Sequence, residues 1–479
     1  MREFTARALD RARDLGASYA DVRVMETQRE SITVKNGKVE ALSLGEEQGF
    51  GVRVLAGGAW GFASSSLVNN DELDKVVERA VRIAKASARV RPVPADIGPA
   101  LRYEDKYRTP IEIDPFKVPV EEKLALLMAA DENLRKVPGI MVATAGMDAI
   151  RNSKTFASTE GSYIEQELIN VGSYMDVTAV REGEVQTRSY PANGGQWGSE
   201  GYELIKRQDL PGNAERIASE AVALLSAPQC PAGVKTIVLE SSQVALQIHE
   251  SCGHPIELDR VMGMEASFAG TSFMTLEKLN NLKYGSDIVN IVVDATIPNG
   301  LGSFKYDDEG VPAQRFDIVQ NGVFRNYLMD RETAAMLGKT SNGTSRADGW
   351  NRIPMIRMTN ISLMPGPSGT LEDLISEVDD GLYLCTNRSW SIDDKRLNFQ
   401  FGTELAYEIK GGKLGQMYRN ATYTGITPEF WNSCERIGGP ESWTLWGVAN
   451  CGKGEPMQIG RVGHGAAPAR FTNVRVGVL

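Results

Sequence analysis

The sequence predicts an α+β protein, with helices and β-hairpins in its N-terminal region and a β-rich C-terminal domain. Three observations favour this class. Apolar residues recur at helical spacing in a few segments, polar and apolar residues alternate in many others, and 48 glycines indicate frequent turns. Because 479 residues exceed the size of one ordinary core, we expect two main units, residues 1–226 and 227–479, with a sub-boundary at 91–119.

The N-terminal region opens with a helix and continues with strands. Apolar residues recur at helical spacing from Phe4 to Leu15 and predict a helix that ends at Gly16. Alternating residues then predict strands at 21–25, 31–34, 39–44, 49–55 and 60–64. Asn36 and Gly37 predict a two-residue hairpin turn between the second and third of these strands.

A second helix is predicted from about Asn70 to Ser87, with Asn69 as its N-terminal cap. The residues expected on its buried face are Val76, Val77, Ala80, Ile83 and Ala84. Prolines recur between Arg91 and Pro119, interrupt regular structure and mark the sub-boundary. Further elements are expected as a helix from about 120, strands over 141–187 and a helix over 213–225.

In the C-terminal domain, 227–479, the pattern changes after Pro228 and Pro231. We predict a short buried strand over 236–239 and then a helix over 243–253. The rest of the chain consists of short β-like segments punctuated by Gly and Pro, with one clear helix near 371–378.

Composition excludes several classes of protein. The net charge is -10 and no block of Lys and Arg occurs, so nucleic acid is not an expected partner. No apolar run approaches the roughly 20 residues that span a bilayer, and the stretch from Met1 to Ala17 carries charges of both signs, unlike a signal peptide. The five cysteines are odd in number and far apart, which indicates reduced thiols. We therefore expect a cytoplasmic protein that does not enter a membrane.

Two of the three histidines lie in the sequence HESCGH, at His249 and His254, with Glu250 beside the first. On an ideal α-helix, residues five apart point ~140° away from each other, so the two imidazoles could not share one metal ion. They would converge if the helix widened or ended between them. Gly253 accepts unusual dihedrals and Pro255 disfavours helix at the preceding residue, so the sequence contains such a break.

A catalytic zinc site usually has three protein ligands and a water, so a third ligand is needed. The candidates are Glu257, Asp259, Cys252 and Cys451. Cys451 is attractive because Lys453 and a metal would both favour its thiolate form, and Gly452 permits close approach. Two imidazoles and a thiolate suit zinc or iron.

Glu250, beside a ligand, is the natural general base for a metal-bound water whose pKa the ion lowers towards ~7. The motif therefore favours a metal-dependent peptidase. One alternative is a buried histidine pair satisfied by hydrogen bonds, with Glu250 in solvent. Another is a thiol hydrolase that uses Cys252 with a histidine, but this leaves the Cys451 segment and the HExxxH pattern unexplained.

These motifs carry a resemblance to a known family. HESCGH follows a strand, Cys-Gly-Lys at 451–453 lies close to the C-terminus, and Tyr-Asp-Asp-Glu-Gly at 306–310 lies between them. In these features the chain resembles the TldD/PmbA family of metallopeptidases. The stretches similar to the opening and the later segments of that family are 17–24, 51–54, 60–63, 330–331 and 357–360. HExxxH is the specific part, and PmbA-type partners lack it, so the chain resembles the metal-bearing TldD type.

The resemblance implies a site and an activity. His249, His254 and Cys451 would bind one divalent ion, zinc or alternatively iron, and Glu250 would act as the catalytic base. The substrates would be unfolded peptides or peptide-derived products, and a peptide that enters as an added β-strand would explain low sequence preference. Subunits would form a homodimer, or a heterodimer with a PmbA-like chain, around an enclosed cavity. The alternative is a non-catalytic, metal-stabilised subunit that binds peptides or supports assembly.

Three further features are interpreted as structural. His464 stands between two glycines and departs from the family pattern, so we expect a turn histidine, with a substrate contact or proton donor as the alternative. Asp307, Asp308 and Glu309 are expected to form a tight acidic turn rather than a Mg²⁺ or Ca²⁺ site, because no EF-hand spacing surrounds them. Trp443 and Trp446, which closely precede Cys451, are expected to pack in the β-rich core, with a place in the wall of the site as the alternative.

Overall fold

The N-terminal half is built on one long sheet in a computed structural model that describes residues 1–268, 270–454 and 456–477. Its elements are α1 (Arg2–Asp14), β1 (Tyr19–Lys35), β2 (Lys38–Ala56), β3 (Ala59–Ser65), α2 (Asn70–Ser87), β4 (Glu104–Arg108), α3 (Val120–Arg135), β5 (Ile140–Ser158), β6 (Tyr163–Arg181), β7 (Glu184–Tyr190), β8 (Gln196–Gly198), α4 (Glu203–Gln208) and α5 (Leu210–Leu224). The strand order is β3-β2-β1-β5-β6-β4, and β7 and β8 also pair with β6.

The C-terminal half contains many short strands and five α-helices within the described residues. Its elements are β9 (Gly233–Leu239), α6 (Ser241–Ile248), α7 (Leu258–Val261), β10 (Ile291–Asp294), β11 (Arg315–Gln320), β12 (Val323–Phe324), α8 (Arg331–Met336), β13 (Ser345–Arg346), β14 (Met355–Ile356), β15 (Ile361–Leu363), α9 (Leu371–Ser376), β16 (Asp380–Ile392), β17 (Asn398–Lys410), β18 (Lys413–Tyr418), β19 (Thr422–Ile426), α10 (Thr427–Asn432), β20 (Cys434–Ile437), β21 (Thr444–Lys453), β22 (Gln458–Ala466) and β23 (Ala469–Val476). The largest sheet runs β16-β9-β23-β19-β17-β18, whereas β21 and β22 form a separate hairpin. The predicted α+β class is confirmed.

Four of the five strands predicted in the first region are parts of two longer ones, β1 and β2, whereas 60–64 corresponds to β3. Residues 21–25 and 31–34 belong to the single strand β1, which pairs with β2 on one side and β5 on the other. The sequence pattern breaks at charged residues such as Glu30, but Lys123 of α3 contacts this carboxylate at 2.5 Å in the interior. The turn at Asn36 and Gly37 is confirmed, with φ angles of 48° and 78°.

Helix α2 follows the prediction closely. The side chain of Asn69 accepts a hydrogen bond from the backbone N–H of Glu72 and caps the helix. One residue of the predicted buried face is wrong, because Ile83 is 40% exposed and Val81 lies in the core instead.

Of the short helices in the C-terminal half, α9 was predicted two residues too long, and α8 and α10 were not predicted because six residues carry too little periodicity.

The acidic turn joins the two halves of the molecule. The Asp307 carboxylate accepts hydrogen bonds from three backbone amides. Asp308 contacts Lys154 of β5 at 2.6 Å, and Glu309 contacts Arg53 of β2 at 2.8 Å. These carboxylates therefore hold the N-terminal sheet against the C-terminal half. Within the described ranges, no helix is both long enough and apolar enough to cross a membrane.

Candidate metal centre

The two motif histidines are brought together by a change in helix type. Helix α6 buries Val244 and Ile248, and the chain then widens into a π-helical turn at His249–Gly253. The backbone N–H of His254 donates to the carbonyl of His249, so one turn spans five residues. Residues five apart then lie on the same side, and the two imidazole centroids are 4.9 Å apart. The helix widens where the motif spacing requires it.

Gly253 and Pro255 were predicted to interrupt the helix, but their roles in the structure differ from that prediction. Gly253 has φ −59° and ψ −56°, which any residue adopts, so unusual dihedrals are not why glycine stands there. A Cβ at this position would lie 2.1 Å from Sδ of Met358, so the glycine provides space. His254 also stays helical, with φ −65° and ψ −42°. Pro255 lies at the start of the 3₁₀ turn His254–Ile256, where its missing backbone N–H is tolerated.

The third candidate ligand arrives from β21, almost 200 residues later. The ligating atoms of His249, His254 and Cys451 all lie within 4.8 Å of one another, and Sγ of Cys451 is 3.6 Å from Nε2 of His254. A tetrahedral ion with ligands at ~2.0–2.3 Å would place its ligand atoms roughly 3.3–3.8 Å apart. All three side chains are buried. The donor set therefore fits one zinc-like ion with little movement.

The other candidate ligands point elsewhere. Cys252 lies in the hydrophobic core, where burial raises the pKa of its thiol to about 12. Asp259 accepts two contacts of 2.8 Å from Lys453, and Glu257 lies 3.5 Å from the same ammonium. Lys453, which was predicted to favour the Cys451 thiolate, is thus paired with these two carboxylates. Burial would raise the pKa of the Cys451 thiol, but the nearby charges of His254 and Arg357 lower it below its ordinary value.

Each histidine of the pair has a defined partner at Nδ1. Glu257 lies 3.1 Å from Nδ1 of His254, and its pKa is held far below the ordinary value because Lys453 and His254 outweigh the effect of burial. Nε2 of His464 lies 2.7 Å from Nδ1 of His249. The prediction of a turn histidine is wrong: His464 is fully buried in β22, paired with Trp446, and burial lowers its pKa well below the ordinary value.

Glu250 lies beside the histidines and has a partner that the sequence did not indicate. The Nη1 atom of Arg396 is 2.5 Å from Oε2 of Glu250. Burial would raise the pKa of this carboxyl, but the charges of His254, His249 and Arg396 bring it below its ordinary value. Arg396 has a positive φ of 63° and lies between β16 and β17, where no motif marks it.

The candidate site opens into a cleft of about 350 Å³ between the two halves of the molecule. Trp446, which was expected in the core, lines this cleft together with the half-exposed Trp390. The N-terminal half contributes a loop at 192–195, and Gln196 fixes it by hydrogen bonds to the backbone of Leu445 and Gly447. The turn-forming run Pro-Ala-Asn-Gly-Gly at 191–195 is the sequence signal for this loop. A substrate would therefore contact both halves.

Comparison with family models matches three consecutive regions of the chain. Residues 20–84 match the PmbA/TldA metallopeptidase domain 1. Residues 113–226 match the central domain of the same family, and residues 215–477 match its C-terminal domain.

Curated relatives match over most of their length. A metalloprotease of Methanocaldococcus jannaschii is 32% identical over 445 residues, which cover 92% of this chain and 94% of the relative. A zinc metalloprotease TldD homolog of Saccharolobus solfataricus is 24% identical over 438 residues, which cover 90% of this chain and 90% of the relative.

Solved structures share the fold at low identity. A Thermotoga maritima protein described as a candidate modulator of a DNA gyrase gives a TM-score of 0.79 at 19% identity, with 99% of this chain and 100% of that chain covered. TldE of Thermococcus kodakarensis gives 0.75 at 16% identity with the same coverage. At this identity the two likenesses concern the fold alone.

Proposed function

The chain belongs to the PmbA/TldA metallopeptidase family, and on that premise we propose that it is a metal-dependent peptidase acting on unfolded peptides or peptide-derived products. The observation that carries the proposal is the grouping of His249, His254 and Cys451 within 4.8 Å of one another, beside the buried carboxylate of Glu250. A metal-ligating triad next to a carboxylate is the arrangement that metal-assisted hydrolysis requires.

Nε2 of His249, Nε2 of His254 and Sγ of Cys451 are the proposed ligands. A divalent ion held there would act as a Lewis acid on the scissile carbonyl and lower the pKa of the attacking water. Zinc is the proposed ion, and the name of the Saccharolobus solfataricus relative supports it. Iron is the alternative, because imidazole and thiolate ligands suit both metals.

Glu250 is the proposed general base. Its Oε1 would accept the proton of the attacking water as the new C–O bond forms, and would return it to the leaving amine nitrogen as the C–N bond breaks. Arg396 holds Oε2, so the carboxylate is fixed while its other oxygen serves the reaction. Trp446 and Trp390 on the walls of the cleft would limit the access of bulk water.

A peptide is proposed to enter as an added strand beside β21. Among the described residues, β21 pairs as a strand with β22 alone. Gln196 bonds to its backbone at Leu445 and Gly447, and Arg357 donates to the carbonyl of Cys451. The edge beyond Gly447 runs along the cleft to Cys451. Backbone hydrogen bonds along such an edge do not depend on the side chains of the peptide, which supports action on peptides of varied sequence.

The proposed assembly is a dimer of two copies of this chain, with a PmbA-like subunit as the alternative partner. Within the described residues, β3 pairs only with positions 50–56 of β2, so positions 38–48 form an open edge of the large sheet. Val39, Leu42 and Leu44 on this edge are 48%, 47% and 70% exposed. An open edge with exposed apolar residues favours pairing with another chain. We also propose a cytoplasmic location, which the five free cysteines support.

Cleavage assays and metal analysis of Glu250→Gln test the peptidase. The variant keeps the size of the side chain and should retain bound metal, while cleavage of an unfolded peptide should fall about 10²–10⁴-fold. Glu277→Gln, an exposed site that does not line the cleft, is the matched control and should cleave at the wild-type rate. Chelation should abolish wild-type cleavage, and the ion that restores it identifies the metal.

Two results would contradict this function. If Glu250→Gln cleaves as fast as the wild type, Glu250 is not the base. If the wild type binds metal but cleaves no peptide, the non-catalytic alternative is favoured, in which the ion stabilises a peptide-binding or assembly subunit. Coordination separates the two, because a structural zinc site is closed by four protein ligands and a catalytic site keeps water.

A further inference from the structure

We propose that His464 is a positioning residue that fixes the proton of His249 on Nδ1 and so presents Nε2 of His249 to the metal. The inference rests on the proposed ligand role of His249, and it concerns the state of the ligand before any reaction. It assigns a specific task to the third histidine of the chain, which lies 215 residues from His249.

The hydrogen bonds of His464 determine where its own proton lies. Nδ1 of His464 is 2.9 Å from the carbonyl oxygen of Ile361 in β15. A carbonyl only accepts hydrogen bonds, so this nitrogen must carry a proton. A neutral imidazole has one ring proton, and Nε2 of His464 is therefore an acceptor.

The acceptor on His464 in turn determines the tautomer of His249. The two nitrogens, Nε2 of His464 and Nδ1 of His249, lie 2.7 Å apart, which is the distance of a hydrogen bond. Because His464 accepts, His249 must donate from Nδ1, and its only lone pair is then on Nε2. This is the tautomer that can bind an ion beside His254 and Cys451.

Burial favours the neutral form of His464 that this argument needs. Its side chain is fully buried, and its ring lies 4.8 Å from the ring of His249. A charged imidazolium without solvent or a carboxylate partner is costly in such a position. Its ring nitrogens bond to a carbonyl and to a second imidazole, neither of which supplies a negative charge.

The strand that carries His464 is held firmly. His464 pairs with Trp446 across the hairpin, and the backbone N–H of the next residue, Gly465, donates to Oγ of Ser362 at 2.9 Å. Glu257 occupies the corresponding position at Nδ1 of His254. Both proposed imidazole ligands are thus oriented through Nδ1, one by a carboxylate and the other by a neutral ring.

NMR of metal-free protein with ¹⁵N-labelled histidine tests the tautomers directly, because the chain has only three histidines. Long-range ¹H–¹⁵N spectra should show protons on Nδ1 of His249 and His464, assigned by single substitutions. A proton on Nε2 of His249 in the wild type would overturn the proposal. This readout needs neither bound metal nor peptide cleavage, so it decides the proposal even if the protein proves not to be a peptidase.

Two substitutions separate positioning from packing. His464→Gln can still accept from His249 and donate to Ile361, whereas His464→Leu can do neither. In chelator competition, His464→Leu should weaken zinc binding about 10–100-fold, and His464→Gln should restore most of that loss. Ser362→Ala removes a neighbouring buried hydrogen bond without touching His249 and should leave the zinc affinity unchanged.

The pattern across these variants is decisive. Equal zinc affinity for His464→Leu and the wild type would overturn the proposal. Equal losses for His464→Leu, His464→Gln and Ser362→Ala would assign His464 to packing only, which would also overturn it. Should His464→Leu fail to fold, as judged by circular dichroism, the tautomer spectra still decide. A proton on Nδ1 of His249 in the wild type and in His464→Gln supports the proposal, and a proton on Nε2 in the wild type overturns it.

Discussion

At the scale of single residues, two buried cysteines show how environment separates chemistry from packing. Cys252 lies inside the HESCGH motif, yet its thiol faces the hydrophobic core, and burial raises its pKa to about 12. Cys451 is almost equally buried, but the charges of His254 and Arg357 lower its pKa. The thiolate, not the thiol, binds metals, so distance along the chain is a poor guide to the ligand.

Replacing each cysteine with alanine tests this assignment. We expect Cys451→Ala to lose most of its bound metal, because a proposed ligand is removed. Cys252→Ala should keep its metal and lose stability by about 1–3 kcal/mol from the cavity in the core. Metal content by mass spectrometry and thermal unfolding measure the two effects. Full metal occupancy in Cys451→Ala would exclude Cys451 as a ligand.

Sequence reasoning found the residues whose signal is local and missed those that depend on strand pairing. His249, Glu250 and His254 are recognisable because they lie within six positions. Arg396 reaches Glu250 only because the turn between β16 and β17 lies beside the π-helical turn. His464 was interpreted as a turn residue because two glycines flank it, although both glycines lie in a strand.

At the scale of elements, the π-helical turn is the feature on which the site depends. An α-helical turn would place the two imidazoles on different sides, whereas the wider turn places them together. The space that Gly253 leaves lets this turn approach Met358, which is fully buried. The missing side chain of Gly253 thus permits the turn that brings the imidazoles of His249 and His254 together.

Gly253→Ala tests whether this close approach maintains the turn. The added Cβ would lie 2.1 Å from Sδ of Met358, so we expect weaker metal binding and a stability loss of about 1–3 kcal/mol. Adding Met358→Ala should recover much of the metal affinity because it removes the clash. Gly233→Ala has no atom within 4 Å of the new Cβ and serves as the control. Unchanged zinc affinity in Gly253→Ala would contradict this account.

Elements were predictable where the sequence pattern and the burial agree. Helix α2 is amphipathic and carries its own cap at Asn69, so its bounds could be predicted to within a residue or two. Strand β1 was divided in two because Glu30 interrupts the alternation, and its partner Lys123 lies on a helix 93 residues away. A local sequence pattern cannot reveal an ion pair between residues so far apart in the chain.

At the scale of the whole molecule, the cleft exists only because the two halves are fixed to each other. Glu309 and Asp308 attach the C-terminal half to β2 and β5. Near the cleft, Gln196 ties the loop at 192–195 to β21. Buried ion pairs of this kind are weak sources of stability but set a specific arrangement, which a cleft with walls from both halves requires.

The open edge of β2 leads to a prediction about assembly. If two copies pair through positions 38–48, a charge at Leu42 and Leu44 should repel the partner and leave a monomer. We expect Leu42→Lys/Leu44→Lys to lose the dimer in light scattering after gel filtration while it keeps its metal, because the edge lies outside the cleft. Val234→Lys changes an equally exposed apolar residue elsewhere and should remain dimeric. A dimer that survives the double substitution would place the interface on another surface, and a monomeric wild type would favour a PmbA-like partner.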